Sequence, residues 1–222
     1  MRLFVLALIA LAVLWFGRDF YRDTGAGPAA HGAADRAAAG SPETVPDTAA
    51  DETADGSSAA DDPEQDTALL ANAFSLNGYE LTPRADFRIT ARVLGRKEYS
   101  SGRESELSPL DLALGWGPMS DDAVLDRISI SQSNRFFFWR TPEFPIPRRE
   151  IERHASNMHM IPADETVADR LDDVDVGDVV TLKGKLVDVR ADDGWKWRTS
   201  LTRDDTGKGA CELFYVEFVI TQ

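Results

Sequence analysis

A single cysteine among 222 residues leaves no partner for an internal disulfide and excludes a cysteine-rich zinc site. Basic residues are also scarce: 24 Lys plus Arg stand against 38 Asp plus Glu, for a net charge of -14. A chain of that balance has no overall field drawing it to phosphate backbones, so nucleic acid is not the expected partner. The 16 glycines and 11 prolines are too few for a collagen-like or wholly disordered chain. No internal repeat with a period of 20 to 50 residues is visible.

The acidity is not spread evenly. Residues 1–23 hold Arg2, Arg18 and Arg22 against Asp19 and Asp23, whereas residues 24–68 hold one base, Arg36, against ten acids. The remaining 154 residues carry -6. Residues 24–68 also lack large aliphatic side chains apart from Val45, and Gly and Pro break their Ala-rich pieces. Such a stretch cannot bury enough apolar surface to offset the entropy of ordering it, and it reads as a disordered acidic linker. As a flexible coil it spans on the order of 35 to 40 Å, lengthened by charge repulsion.

Ahead of the linker, Leu3 to Gly17 run fifteen residues without a charge, ten of them Leu, Ile, Val or Phe. This is the strongest membrane-insertion signal in the chain. As a helix the run covers about 22 Å, and extension through Tyr21, with Arg18 reaching toward headgroups, brings it near the thickness of a bilayer core. Residues 1–23 are therefore expected to be a single-pass transmembrane helix. A cleavable signal peptide is the alternative, but Gly, Arg, Asp, Phe and Tyr follow Phe16 with no small-x-small pair for a peptidase. With the two-residue tail inside, the carboxyl-terminal part lies outside the cytoplasm, as in a periplasm-facing bacterial envelope protein.

Residues 69–222 are long enough to form one globular domain. Phe87, Ile89, Ala91 and Val93 alternate with Arg88, Thr90 and Arg92, the period of a strand with one buried face. A second β-prone run from Ile128 to Trp139 is interrupted at Gln132 to Asn134 by a bulge or turn. Val176 to Val189, Trp195 to Thr199 and Phe214 to Ile220 supply three more strands, expected as an antiparallel meander with Asp-Gly and Thr-Gly turns. Short helices are expected over Ser108–Leu114, from Asp121 or Asp122 to Arg127, over Pro147–His154 and over Ala163–Leu171. Helices scattered among strands without a regular β-α-β alternation indicate an α+β class. The fourteen residues Val176 to Val189, VGDVVTLKGKLVDV, resemble strands of small OB-type barrels, which implies a barrel architecture and no particular activity.

Chemistry-bearing residues are few. His154, Asn157 and His159 lie within HASNMHMIP, and His31 in the linker is the remaining histidine. A spacing of five suits neither one helical face nor one strand face, so the two domain imidazoles make a poor metal pair, and no metal or other cofactor is expected. Cys211 would become a nucleophile if His154 or His159 supplied a base and Asn157 oriented it; packing as a small buried hydrophobe is the commoner role. Gly115-Trp116-Gly117 lets backbone approach an indole face, as in a ligand site, or else Trp116 plugs the core. Arg88, Arg92 and Arg96 share one face, for an anion or for cross-strand carboxylates. Gly207-Lys208-Gly209 leads into a strand and reads as a hairpin tip.

The expected function is a membrane-tethered binding or interaction module, more a binder than an enzyme, whose protein or other ligand near the membrane meets Trp116, Gln132, His154, Asn157 and His159. The alternative is a membrane-anchored hydrolase or transferase using Cys211 with His154 or His159. Composition leaves the oligomeric state open.

Overall fold

The computed structural model describes residues 59–68, 71–203 and 210–222. The expected membrane segment, most of the linker and Gly207-Lys208-Gly209 lie outside the described residues. Among the described residues, no helix is long and apolar enough to cross a membrane.

The domain is β-rich, with a mixed sheet and a few short helices. Its strands are β1 (Glu64–Asp66), β2 (Phe74–Leu76), β3 (Tyr79–Glu98), β4 (Leu110–Gly115), β5 (Ser129–Ser133), β6 (Phe136–Arg140), β7 (Ala155–Pro162), β8 (Val179–Arg190), β9 (Lys196–Trp197) and β10 (Glu212–Thr221). The helices are α1 (Asp122–Leu125), α2 (Arg148–Arg153) and α3 (Glu165–Asp172). Asp121 and Asp164 cap α1 and α3 by accepting from the amides of Ala123 and Val167.

The 20 residues of β3 organise the rest. The expected alternation holds: Phe87, Ile89, Ala91 and Val93 are buried while Arg88 points out. Irregularities between Pro83 and Ala85 and between Val93 and Gly95 bend the strand, so that Glu80 to Arg92 pair with β8 and Arg92 to Glu98 pair with β4. The pairings β3 to β4, β4 to β7, β7 to β10, β10 to β8 and β8 back to β3 run in a closed ring. Its interior holds Phe87, Ile89, Leu112, Leu114, Met158, Met160, Leu182 and Phe214.

The sheet corrects the expectation of a purely antiparallel domain. β10 lies between β8 and β7 and runs parallel to β7, with Leu213 opposite His159. The chain reaches β8 from β7 through α3, a crossover that alternation within single strands does not encode. Gly184 sits where β8 and β10 press together: a Cβ there would overlap the Tyr215 carbonyl oxygen.

The helix expected over Ser108–Leu114 is instead β4 from Leu110 on, because all six of its residues are buried. Leu112 and Leu114 face the ring interior, while Ala113 packs beneath Ile130, Phe137 and Trp139 of the β5–β6 hairpin. Pairing on both edges outweighs the Ser-Pro start signal. The linker boundary drawn at residue 68 also encloses ordered chain. Ala59 is 3% exposed and accepts from the Gly117 amide at 2.7 Å, and β1 pairs with Asp86 to Arg88 of β3. These ties are mostly backbone hydrogen bonds, invisible to a count of apolar side chains.

Candidate functional site

Asp111 is a lone carboxylate in the apolar strand β4, fully buried, on the outer face of the ring. An uncompensated charge there would be strongly unfavourable, so its partners define the site. His159 Nδ1 lies 2.9 Å from Asp111 Oδ1, and Arg135 Nη1 donates to the same oxygen at 2.7 Å. Asn157 Nδ2 donates to Oδ2 at 3.2 Å. Asn157 and His159 are two apart on β7 and so share its outer face, while Met158 and Met160 fill the interior.

Arg135 reaches this carboxylate from the tip of the β5–β6 hairpin. Asn134 and Arg135 form the two-residue turn between Ser133 and Phe136, with φ of 52° and 68°. A non-glycine residue held left-handed costs about 1 kcal/mol, offset here by several ties. Besides Asp111, the guanidinium donates to the Ser108 carbonyl at 2.9 Å and lies 3.8 Å over the Tyr99 ring. The Arg135 amide donates to the Tyr99 hydroxyl, whose pKa is raised above its ordinary value chiefly by burial. Gln132 Nε2 closes the cluster by donating to Asn157 Oδ1 at 2.7 Å.

Beside the cluster opens a cleft of about 560 Å³. His159 and Cys211 line it, with Arg135 and Phe136 from the hairpin and Glu104 from the β3–β4 loop. Lys196, Trp197 and Arg198 close the far side. The Trp197 ring sits 4.8 Å from the His159 ring. Lys196 and Arg198 make no ion pair among the described residues, so the cleft presents two uncommitted cations beside an aromatic wall. The loops on either side are tied together: Arg103 donates to both Asp193 oxygens, at 2.6 and 3.1 Å, and stacks over Tyr79 and Trp195. The Arg103 hydrogen bond, helped by the Trp195 amide, holds the Asp193 carboxyl below its usual range.

The five residues expected to form one ligand surface fall into two groups. Gln132, Asn157 and His159 belong to the Asp111 cluster. Trp116 and His154 lie elsewhere, with ring centroids 6.3 Å apart. Trp116 is fully buried and donates to Asp62 at 3.2 Å, which makes it a core plug with no surface for a ligand. His154 Nδ1 is 2.8 Å from the Glu150 carbonyl oxygen, and the ring borders a separate hollow of about 410 Å³ with Asp62 and Arg153. A third depression, about 350 Å³ between β1, β3 and β8, is bridged by the ion pairs of Arg88 with Glu64 and of Lys185 with Asp86 and Glu217. Arg92 and Arg96 are likewise committed to Asp122 and to Glu98.

Cys211 is partly exposed, and its Sγ lies 3.6 Å from the Arg135 carbonyl, which also accepts from Asn157. Of the two domain histidines, His159 shares a cleft with this thiol and His154 does not. Among the described residues no group of three or more His, Cys, Asp or Glu side chains is placed to hold a metal ion. Asp111 and Arg135 escaped the sequence reading. Asp111 did leave a trace, as the one charge in Leu110 to Gly115; Arg135 left none, because its partner is 24 residues away.

No protein-family model, curated protein or solved structure matches the chain.

Proposed function

We propose that the chain is a membrane-tethered, extracytoplasmic binding module built on an OB-type barrel, and that its ligand enters the cleft beside His159 and Trp197. The ring order β3, β4, β7, β10, β8, with α3 between the third and fourth of its strands in sequence, supports the barrel reading. OB-type barrels bind ligands on the face of their second and third strands, between the loop joining strands one and two and the loop joining strands four and five. The corresponding parts here are β4 and β7, the loop carrying Glu104, and the loop carrying Trp197 and Cys211. The cleft opens at that junction, and this coincidence carries the reading. The apolar run Leu3 to Gly17 supports the tether.

Lys196 and Arg198 suit an anionic group, Trp197 a planar or apolar one, and the volume a small molecule or a chain terminus. A nucleic acid strand is disfavoured by the -6 carried by residues 69–222. The test is a titration of the detergent-solubilised full chain with 1-naphthalenesulfonate, followed by the indole N–H resonances. A saturable shift of Trp197, weakened at least fivefold in Lys196→Glu/Arg198→Glu, is expected. A shift confined to the other tryptophans, or none at all, overturns the assignment of the cleft.

A further inference from the structure

The ring nitrogens of His159 are used unequally. The side chain is 4% exposed, and its Nδ1 is occupied by Asp111. Asp111 Oδ1 also accepts from the Arg135 guanidinium, and a carboxylate oxygen so placed has no proton to give the ring. In the neutral ring Nδ1 then carries the proton, and Nε2 has the lone pair. No described residue hydrogen-bonds Nε2, and His159 lines the cleft. A buried imidazole, oriented by a carboxylate and open at its second nitrogen, has the construction of a general base.

The chain's one thiol lines the same cleft. Glu212 and Leu213 of β10 stand opposite Met158 and His159 of β7, so Cys211, one residue before β10, lies beside the outer face that carries Asn157 and His159. Cys211 Sγ and Asn157 Nδ2 both reach the Arg135 carbonyl. Lys196 and Arg198 line the same cleft.

We propose that Cys211 is a nucleophile with His159 as its base and Asp111 as the positioning residue, and that the cleft accepts an ester or thioester with an anionic substituent. The proposal rests on the reading of this cleft as a ligand site. The Sγ–H proton passes to His159 Nε2, and the sulfur lone pair forms a bond to the acyl carbon while the carbonyl π pair moves onto oxygen. On collapse the bond to the leaving alcohol or thiol breaks, and that group takes the proton from Nε2. Water then attacks the acyl–cysteine thioester, gives one proton to His159 and releases the carboxylic acid, and the proton returns to sulfur. The sum is ester or thioester plus water giving acid plus alcohol or thiol.

The sole cysteine makes the test direct. The full chain in detergent micelles is alkylated with iodoacetamide from pH 5 to pH 9 and followed by mass spectrometry, with His159→Gln and Asp111→Asn beside the wild type. Expected is a wild-type rate at pH 6 at least tenfold above that of free cysteine, reduced at least tenfold in His159→Gln and with its inflection moved to higher pH in Asp111→Asn. Brief exposure to 4-nitrophenyl acetate should leave an acetyl group on Cys211. An inflection at the ordinary thiol pKa of about 8.5 in the wild type overturns the proposal, and that reading needs neither variant to fold. So does a fast thiol unchanged in a folded His159→Gln. Either failure alongside an intact Trp197 shift with naphthalenesulfonate leaves the binding cleft standing, whereas a lost shift with a fast thiol overturns the anion assignment alone.

Discussion

His159 Nδ1 and Asp111 Oδ1 lie 2.9 Å apart on the outer face of neighbouring strands, and Arg135 donates to the same oxygen from the hairpin laid across them. One buried carboxylate thus joins the ring of strands, the hairpin and the cleft.

Removing that charge should loosen all three. Asp111→Asn leaves Arg135, whose side chain is 17% exposed, without a counter-charge. Breaking a fully buried pair costs about 3–5 kcal/mol, and partial exposure of Arg135 reduces this to about 2–3 kcal/mol. Denaturant unfolding measures it. A loss below about 0.5 kcal/mol would mean that Arg135 is not held by this carboxylate.

Trp116 was a ligand candidate in the sequence and is a core plug in the fold. Trp116→Ala should lower stability by about 3–5 kcal/mol, the usual range for emptying a large buried aromatic site. Trp116→Phe should lose less and leave naphthalenesulfonate uptake in the cleft unchanged. Impaired uptake in a folded Trp116→Phe would contradict this division of roles.

Gly184 and Gly194 offer a contrast in backbone terms. A Cβ at Gly184 would overlap the Tyr215 carbonyl oxygen, so Gly184→Ala must part β8 from β10 and should lose about 2 kcal/mol or more. Gly194 has φ +89° with open space around it, so Gly194→Ala should cost about 1 kcal/mol through conformation alone. Thermal unfolding of the two variants should rank them in that order.

The loops flanking the cleft should respond to acid. Asp193 has a depressed pKa from Arg103 and the Trp195 amide, so its folded form is more acidic than its unfolded form. Its contribution is therefore present above the ordinary carboxylate range and is lost as pH falls through the lower, folded value. Amide exchange at Trp195 should accelerate over that acidic window, and Asp193→Asn should exchange fast already at neutral pH. Identical exchange in both proteins would show that the Arg103 tie does not hold the loop.

Strands were the legible part of the sequence. Alternation marked β3 because it buries one face along much of its length; β8 is buried on both faces at its two ends, and the irregularity between Val216 and Phe218 in β10 buries Val219 and leaves Ile220 exposed. β4 stands behind the helix-start signal Ser108-Pro109, and both of its faces are covered, which erases the strand period. The Asn77-Gly78 turn, with φ of 50° and 81°, sat unread in the sequence and joins β2 to β3. For the site, His159, Asn157, Gln132 and Cys211 could be picked out as unusual side chains. Their grouping with Asp111 and Arg135 depends on three non-local pairings, β4 with β7, β7 with β10 and the hairpin over β4, and local pattern carries no register.

The most direct test of the account is the nitrogen-15 NMR spectrum of the imidazoles at pH 8 in the full chain, with His159 assigned by its loss in His159→Gln. The account predicts a neutral His159 ring protonated at Nδ1 and bare at Nε2. A ring protonated at Nε2, with Nδ1 bare against Asp111, would contradict it.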